Sequence, residues 1–146
     1  MTRPTIICLA SKNGGDPPKI FIRTLLYSTS EQGQYVQNMF VRVQREGLIR
    51  SFNVWAYGDK GLVRGSGLRV DKNGVSNYHH FLLPKNESDY QFSKGDYVVQ
   101  IFVETINGKP INIFEQILSV PDIEQKDKTA IYFDWEPDKT RIFLTY

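Results

Sequence analysis

The sequence predicts an all-β fold, a two-sheet antiparallel sandwich, and three observations carry that reading. Apolar side chains recur at every second position along much of the chain, the period of a strand with one buried face. Turn-forming residues break these runs at short intervals, and Val, Ile, Phe and Tyr supply much of the apolar content. Helical periodicity is nearly absent: only Asp122 to Lys128 lacks strand character, and it is too short and polar for a core helix.

In chain order, Thr5 to Ala10 and Ile20 to Ser28 are the first candidate strands. The run 36–45 puts Met39, Val41 and Val43 on one face and Arg42 and Gln44 on the other. Glu46-Gly47 then turns the chain, and Leu48 to Tyr57 resume with Phe52, Val54 and Ala56 on one face, which makes the pair a hairpin. Gly61 to Val70 and Val75 to Leu83 follow, joined by the turn Asp71-Lys72-Asn73-Gly74. Tyr97, Val99, Ile101 and Val103 share a face of the run 97–106. Asn107-Gly108, both tolerant of positive φ, leads into Ile111 to Val120. A last hairpin joins Ala130–Trp135 to Arg141–Leu144 through Glu136-Pro137-Asp138-Lys139.

A chain of 146 residues with no repeat or linker reads as one domain, residues 1–146. Such a length buries roughly two-thirds of its unfolded surface, so no metal or disulfide is needed to hold it. The single cysteine, Cys8, lies in the apolar run Ile6-Ile7-Cys8-Leu9-Ala10 and reads as a buried, inert thiol. Met1-Thr2-Arg3-Pro4 leads into too short an apolar stretch for a signal peptide, and no run is long enough to span a membrane. The expectation is a cytoplasmic protein, with the sequon Asn86-Glu87-Ser88 a polar loop and not a glycan site. Eighteen basic and sixteen acidic residues leave a net charge of +2 without any basic tract, which weighs against counterion-releasing nucleic-acid binding.

The stretch Phe92 to Val103, followed by Asn107-Gly108, resembles the late strand pair of immunoglobulin-like and fibronectin-type domains. Gly95, Tyr97, Val99 and Ile101 occupy the places of a Gly-x-Tyr-x-Val-x-Ile pattern. Gly permits the bend into the strand, Tyr offers a ring and a hydroxyl at a corner, and the aliphatics fill the core. The match covers about 30 residues and lacks the inter-sheet cysteine pair and its tryptophan. The chain also exceeds the usual ~100 residues, with the hairpin 129–146 as the addition. The resemblance implies a fold and no activity.

No catalytic set emerges. Gly58-Asp59-Lys60-Gly61 and Arg64-Gly65-Ser66-Gly67 lack the spacing and following helix of a phosphate loop, and Gly65 and Gly67 read as a bulge or edge-strand bend. His79 and His80 are adjacent, so a strand sends them to opposite faces and they cannot share one metal; no cofactor or metal is expected. The favoured reading is one packed and one solvated imidazole; the alternative is that one of them serves as a base beside Ser66 or Ser76. Two carboxylate pairs, Asp134 with Glu136 and Glu104 with Glu115, could share a face.

The remaining lead is aromatic. Trp55 and Tyr57 fall on the face opposite Phe52 and Val54, which is wet if the sheet is one-sided, with Arg42, Arg50, Arg64 and Arg69 in nearby segments; the equal alternative is that Trp55 lies under a loop as part of the core. The loop from Pro84 to Phe92 is long and polar and is expected to expose Tyr90. Trp, Tyr and Arg dominate protein-interface hot spots. The leading expectation is a non-enzymatic protein-binding or assembly module, its partner another protein or itself. The candidate residues are Trp55, Tyr57, Arg64, Arg69, His79, His80 and Tyr90. A single-stranded nucleic-acid-binding domain using the same aromatics is the second reading. A small hydrolase or carbohydrate-binding domain using His79 or His80 is the third.

Overall fold

The computed structural model describes residues 1–12, 17–58, 63–64, 67–84, 90–106, 108–122, 130–136 and 139–145, with backbone alone at 63, 64, 136 and 139–145. The strands are β1 (Ile6–Ala10), β2 (Lys19–Leu26), β3 (Gln34–Arg45), β4 (Leu48–Phe52), β5 (Val54–Tyr57), β6 (Val63–Arg64), β7 (Leu68–Val70), β8 (Val75–Leu82), β9 (Gly95–Thr105), β10 (Ile111–Val120), β11 (Ala130–Glu136) and β12 (Lys139–Thr145). One sheet has seven strands in the order β12-β11-β1-β2-β8-β5-β6. The other has five, β10-β9-β3-β4 with β7 also paired to β3. Every pairing is antiparallel. The predicted two-sheet sandwich with an added C-terminal hairpin is the fold, and β11 docks that hairpin against β1.

Alternation builds the core. Met39, Val41 and Val43 of β3 and Tyr97, Val99, Ile101 and Val103 of β9 turn inward. They meet Ile7 and Leu9 of β1, Ile20 and Ile22 of β2, Phe81 of β8 and Ile131 and Phe133 of β11. Two inner faces interleaved in this way form the filling of a sandwich about 10 Å thick. Each fully buried aliphatic or aromatic side chain contributes about 1.5–3 kcal/mol.

Local turn chemistry fixes the register. Glu46 and Gly47 have φ of 50° and 80°, the paired positive values that a two-residue hairpin with right-handed strand twist requires. They set Arg45 opposite Leu48. The Asp71 carboxylate accepts from the backbone of Asn73 at 2.9 Å and Gly74 at 3.2 Å. That turn does not join a hairpin: β7 pairs with β3 and β8 with β2 and β5, so it carries the chain between sheets. Of the other expected turns, Asn107 and residues 137–138 lie outside the described residues, as do Asn86-Glu87-Ser88, Gly65, Ser66 and most of the stretch 122–128.

The start of β9 holds a corner. The Tyr97 hydroxyl donates to the Ser93 carbonyl at 2.8 Å and accepts from the Ser93 amide at 2.9 Å. Arg45 lays its guanidinium over the Tyr97 ring, 5.3 Å from its centroid, and donates to the Ser93 hydroxyl and the Lys94 carbonyl. Gly95, at φ 141°, keeps the space: a Cβ there would sit 3.1 Å from Arg45 Nε.

Two expected strands are corrected. Gly61 to Val70 is not one strand, because β6 belongs to the larger sheet and β7 pairs with β3 in the smaller. Residues 48–57 are not a single strand, because β4 belongs to the smaller sheet and β5 to the larger. The chain crosses at Asn53. Phe52 and Trp55 are three apart, yet both are buried, since each turns inward from a different sheet. Strand parity does not survive such a crossing, and Trp55 therefore lies inside and not on a wet face.

Candidate functional site

The seven residues singled out from sequence do not converge. Trp55, Tyr57 and His79 form one cluster between the sheets, with Trp55 and Tyr57 ring centroids 4.8 Å apart. Trp55 is 2% exposed and His79 0%. The Trp55 indole N–H donates to His79 Nδ1 at 3.1 Å, which assigns the imidazole proton to Nε2. That Nε2 is buried without a partner. Tyr57 is half-buried, its hydroxyl donating to the Gly67 carbonyl at 2.6 Å. Burial, aided by neighbouring His80, lowers the His79 pKa to about 4, so the ring is neutral near pH 7.

His80 points to the other face of the larger sheet, as adjacency on a strand requires. It packs against Phe21 with centroids 4.7 Å apart. Burial, then the charge of Lys19, lowers its pKa to about 4 as well. Tyr90 is not exposed as expected: its ring stands edge-on to Phe52 and Phe92, with Arg50 over it. Arg69 is exposed on β7, bonded to the Tyr35 hydroxyl at 3.0 Å and the Gln32 carbonyl at 3.3 Å. The Arg64 backbone lies in β6 opposite Ala56, and its side chain is outside the described residues.

Of the two carboxylate pairs, Glu104 and Glu115 do not meet. Glu104 lies opposite Asn38, and Glu115 opposite Gln100, on different rows of the sheet. Asp134 lines an open groove of about 400 Å³ with Arg3, Arg23 and Thr24, and the Glu136 side chain is outside the described residues. Among the described residues, no three His, Cys, Asp or Glu side chains gather to hold a metal ion. Cys8 is buried, and desolvation raises its thiol pKa to about 11. No helix of the described residues is long and apolar enough to cross a membrane.

What the fold does present is the outer face of the five-stranded sheet. Cross-strand partners share a face, so the pairings define its rows. The first row is Ile117–Val98–Gln44–Ile49, the second Glu115–Gln100–Arg42–Ser51, and the third Asn112–Phe102–Phe40. Ile117 is 62% exposed and Ile49 54%. Phe40 and Phe102 stack at 5.0 Å with 3° between ring planes, and Arg42 lies 4.8 Å over Phe102. Gln100 donates to Glu115 at 2.6 Å. Two apolar rows thus flank a polar one carrying one cation and one anion.

Of this face the sequence reading named Arg42, Gln44 and Glu115. Its aromatic and aliphatic members were available as the outward positions of the same alternation that identified the core. What the alternation does not show is that β10, β9, β3 and β4 lie side by side, which assembles them into rows.

Comparison with protein-family models, with curated proteins and with solved structures finds no match for the chain.

Proposed function

We propose that the chain is a non-enzymatic protein-binding or assembly module of immunoglobulin-like type, docking through the outer face of its five-stranded sheet. The observation that carries the reading is the three-row arrangement itself. It combines solvent-facing isoleucines with a stacked phenylalanine pair and an arginine lying on one of its rings, and aromatic residues and Arg are enriched at interfaces. Support for the immunoglobulin-like type comes from strand order, β1-β2-β8-β5 facing β10-β9-β3-β4, and from the Tyr97 hydroxyl bonded back to Ser93. Burial of the Trp55–His79 pair moves the docking surface away from those residues.

The test is capture from a native lysate with tagged protein, with and without nuclease, comparing wild type with Ile49→Asp/Ile117→Asp. A nuclease-resistant protein partner lost in the variant is the expected result; capture that the variant retains would overturn the reading. One observation favours a second reading, single-stranded nucleic acid: a stacked aromatic pair beside an arginine on an open sheet suits base stacking. That reading predicts affinity falling steeply with added salt.

A further inference from the structure

We infer that the occupant of this face is a second copy of the same chain, related by a two-fold axis lying in the interface, parallel to the strands, midway between β9 and β3. The inference rests on the docking reading above and adds the partner's identity and geometry. Such an axis keeps each row at its own level and exchanges β10 with β4 and β9 with β3. The β9, β3 and β4 positions of the rows then meet defined counterparts. In the first row Ile117 faces Ile49 of the second copy, and Val98 faces Gln44. In the third, Phe102 faces Phe40. In the polar row, Glu115 and Gln100 face Ser51 and Arg42, which brings each anion beside the other copy's cation, twice over.

Within one chain these two charges do not meet. Glu115 and Arg42 are separated by the width of β9, two strand spacings or about 9.6 Å. Among the described residues the ion pair formed is Lys72–Glu31, far from this face, so Arg42 has no carboxylate partner there. Its guanidinium carbon lies 4.8 Å from the centre of the Phe102 ring, on the face the second copy would cover. A two-fold interface must be self-complementary. This face meets that condition: Ile117 meets Ile49, Phe102 meets Phe40, and each Glu115 lies one strand spacing from the other copy's Arg42. The three rows hold 11 side chains, fewer than the roughly 20–30 a side of a standard interface, so the expected association is weak and transient.

The test uses sedimentation velocity of the full chain from about 1 μM to about 500 μM, the span in which weak interfaces form. Wild type, Glu115→Arg, Arg42→Glu and an equimolar mixture of the two variants are compared, with circular dichroism confirming each fold. Wild type dimerises. Each single reversal sets like charges beside one another at both contacts and is monomeric throughout. The mixture restores both contacts and dimerises as a one-to-one pair. Wild type monomeric at every concentration overturns the inference; if Ile49→Asp/Ile117→Asp still abolishes capture from lysate, the docking face stands with a different protein as partner. A wild-type dimer indifferent to both reversals, or a mixture that stays monomeric, removes this geometry.

Discussion

The indole N–H of Trp55 donates to Nδ1 of His79 across 3.1 Å, deep between the two sheets. The bond fixes the tautomer and leaves the ring neutral, and protonation would destroy it because Nδ1 would become a donor. His79 and His80 both have pKa values lowered to about 4, chiefly by burial. An unfolded chain takes up these protons near pH 6.5. It therefore binds more protons than the native state between pH 6.5 and 4, and stability falls as pH drops through that window. The His79 share is on the order of 3 kcal/mol. Melting temperatures from pH 8 to pH 4 check this: wild type falls steeply below pH 6.5. His79→Gln, which keeps an acceptor for Trp55, follows a shallower slope; parallel slopes would contradict the account.

The Tyr97 corner is expected to act through its hydroxyl and not only its ring. Tyr97→Phe leaves the buried ring in place but strands the amide and carbonyl of Ser93. The expected loss is about 1–3 kcal/mol in urea unfolding with the slope unchanged. A variant as stable as wild type would show that solvent replaces both bonds.

Gly74 sits at φ 78°, and a Cβ there would come 2.7 Å from the Leu26 carbonyl oxygen. Gly74→Ala should cost about 1–3 kcal/mol through backbone strain and that contact. Gly47→Ala, at φ 80° but with open space around it, should cost less, and chemical denaturation of the two variants ranks them.

Cys8 tests the depth of the larger sheet. With its thiol pKa raised to about 11 by burial, it should not react with a disulfide reagent at pH 8 in the native state. Full reaction should appear only on unfolding in denaturant. Rapid labelling of native protein would mean that the β1 region opens far below the global unfolding free energy.

How much of this was legible in the sequence depends on whether local pattern sufficed. The inward face of β9 followed from the alternation of Tyr97, Val99, Ile101 and Val103, and the β3–β4 turn from Glu46-Gly47. The crossing at Asn53 was not legible. Nothing local distinguishes a ten-residue alternating strand from two short strands in different sheets, so the alternation could not decide between a wet face and the core for Trp55. Tyr90 was misread for a similar reason: a polar loop composition says nothing of Phe52 and Phe92 beneath it. The docking face needed long-range information, because Phe40 and Phe102 are 62 positions apart in sequence and become neighbours only through the β3–β9 pairing.

The central claim is that the outer face of the five-stranded sheet, and not that of the seven-stranded one, meets a partner. It is tested most directly by placing a photo-crosslinking amino acid at Val98, in the middle of that face, and in a second variant at Tyr78, on the opposite side of the molecule. Irradiation should yield a discrete adduct from position 98, at the mass of two chains, and none from position 78. An adduct from position 78 alone, or equal diffuse labelling from both, would contradict the claim.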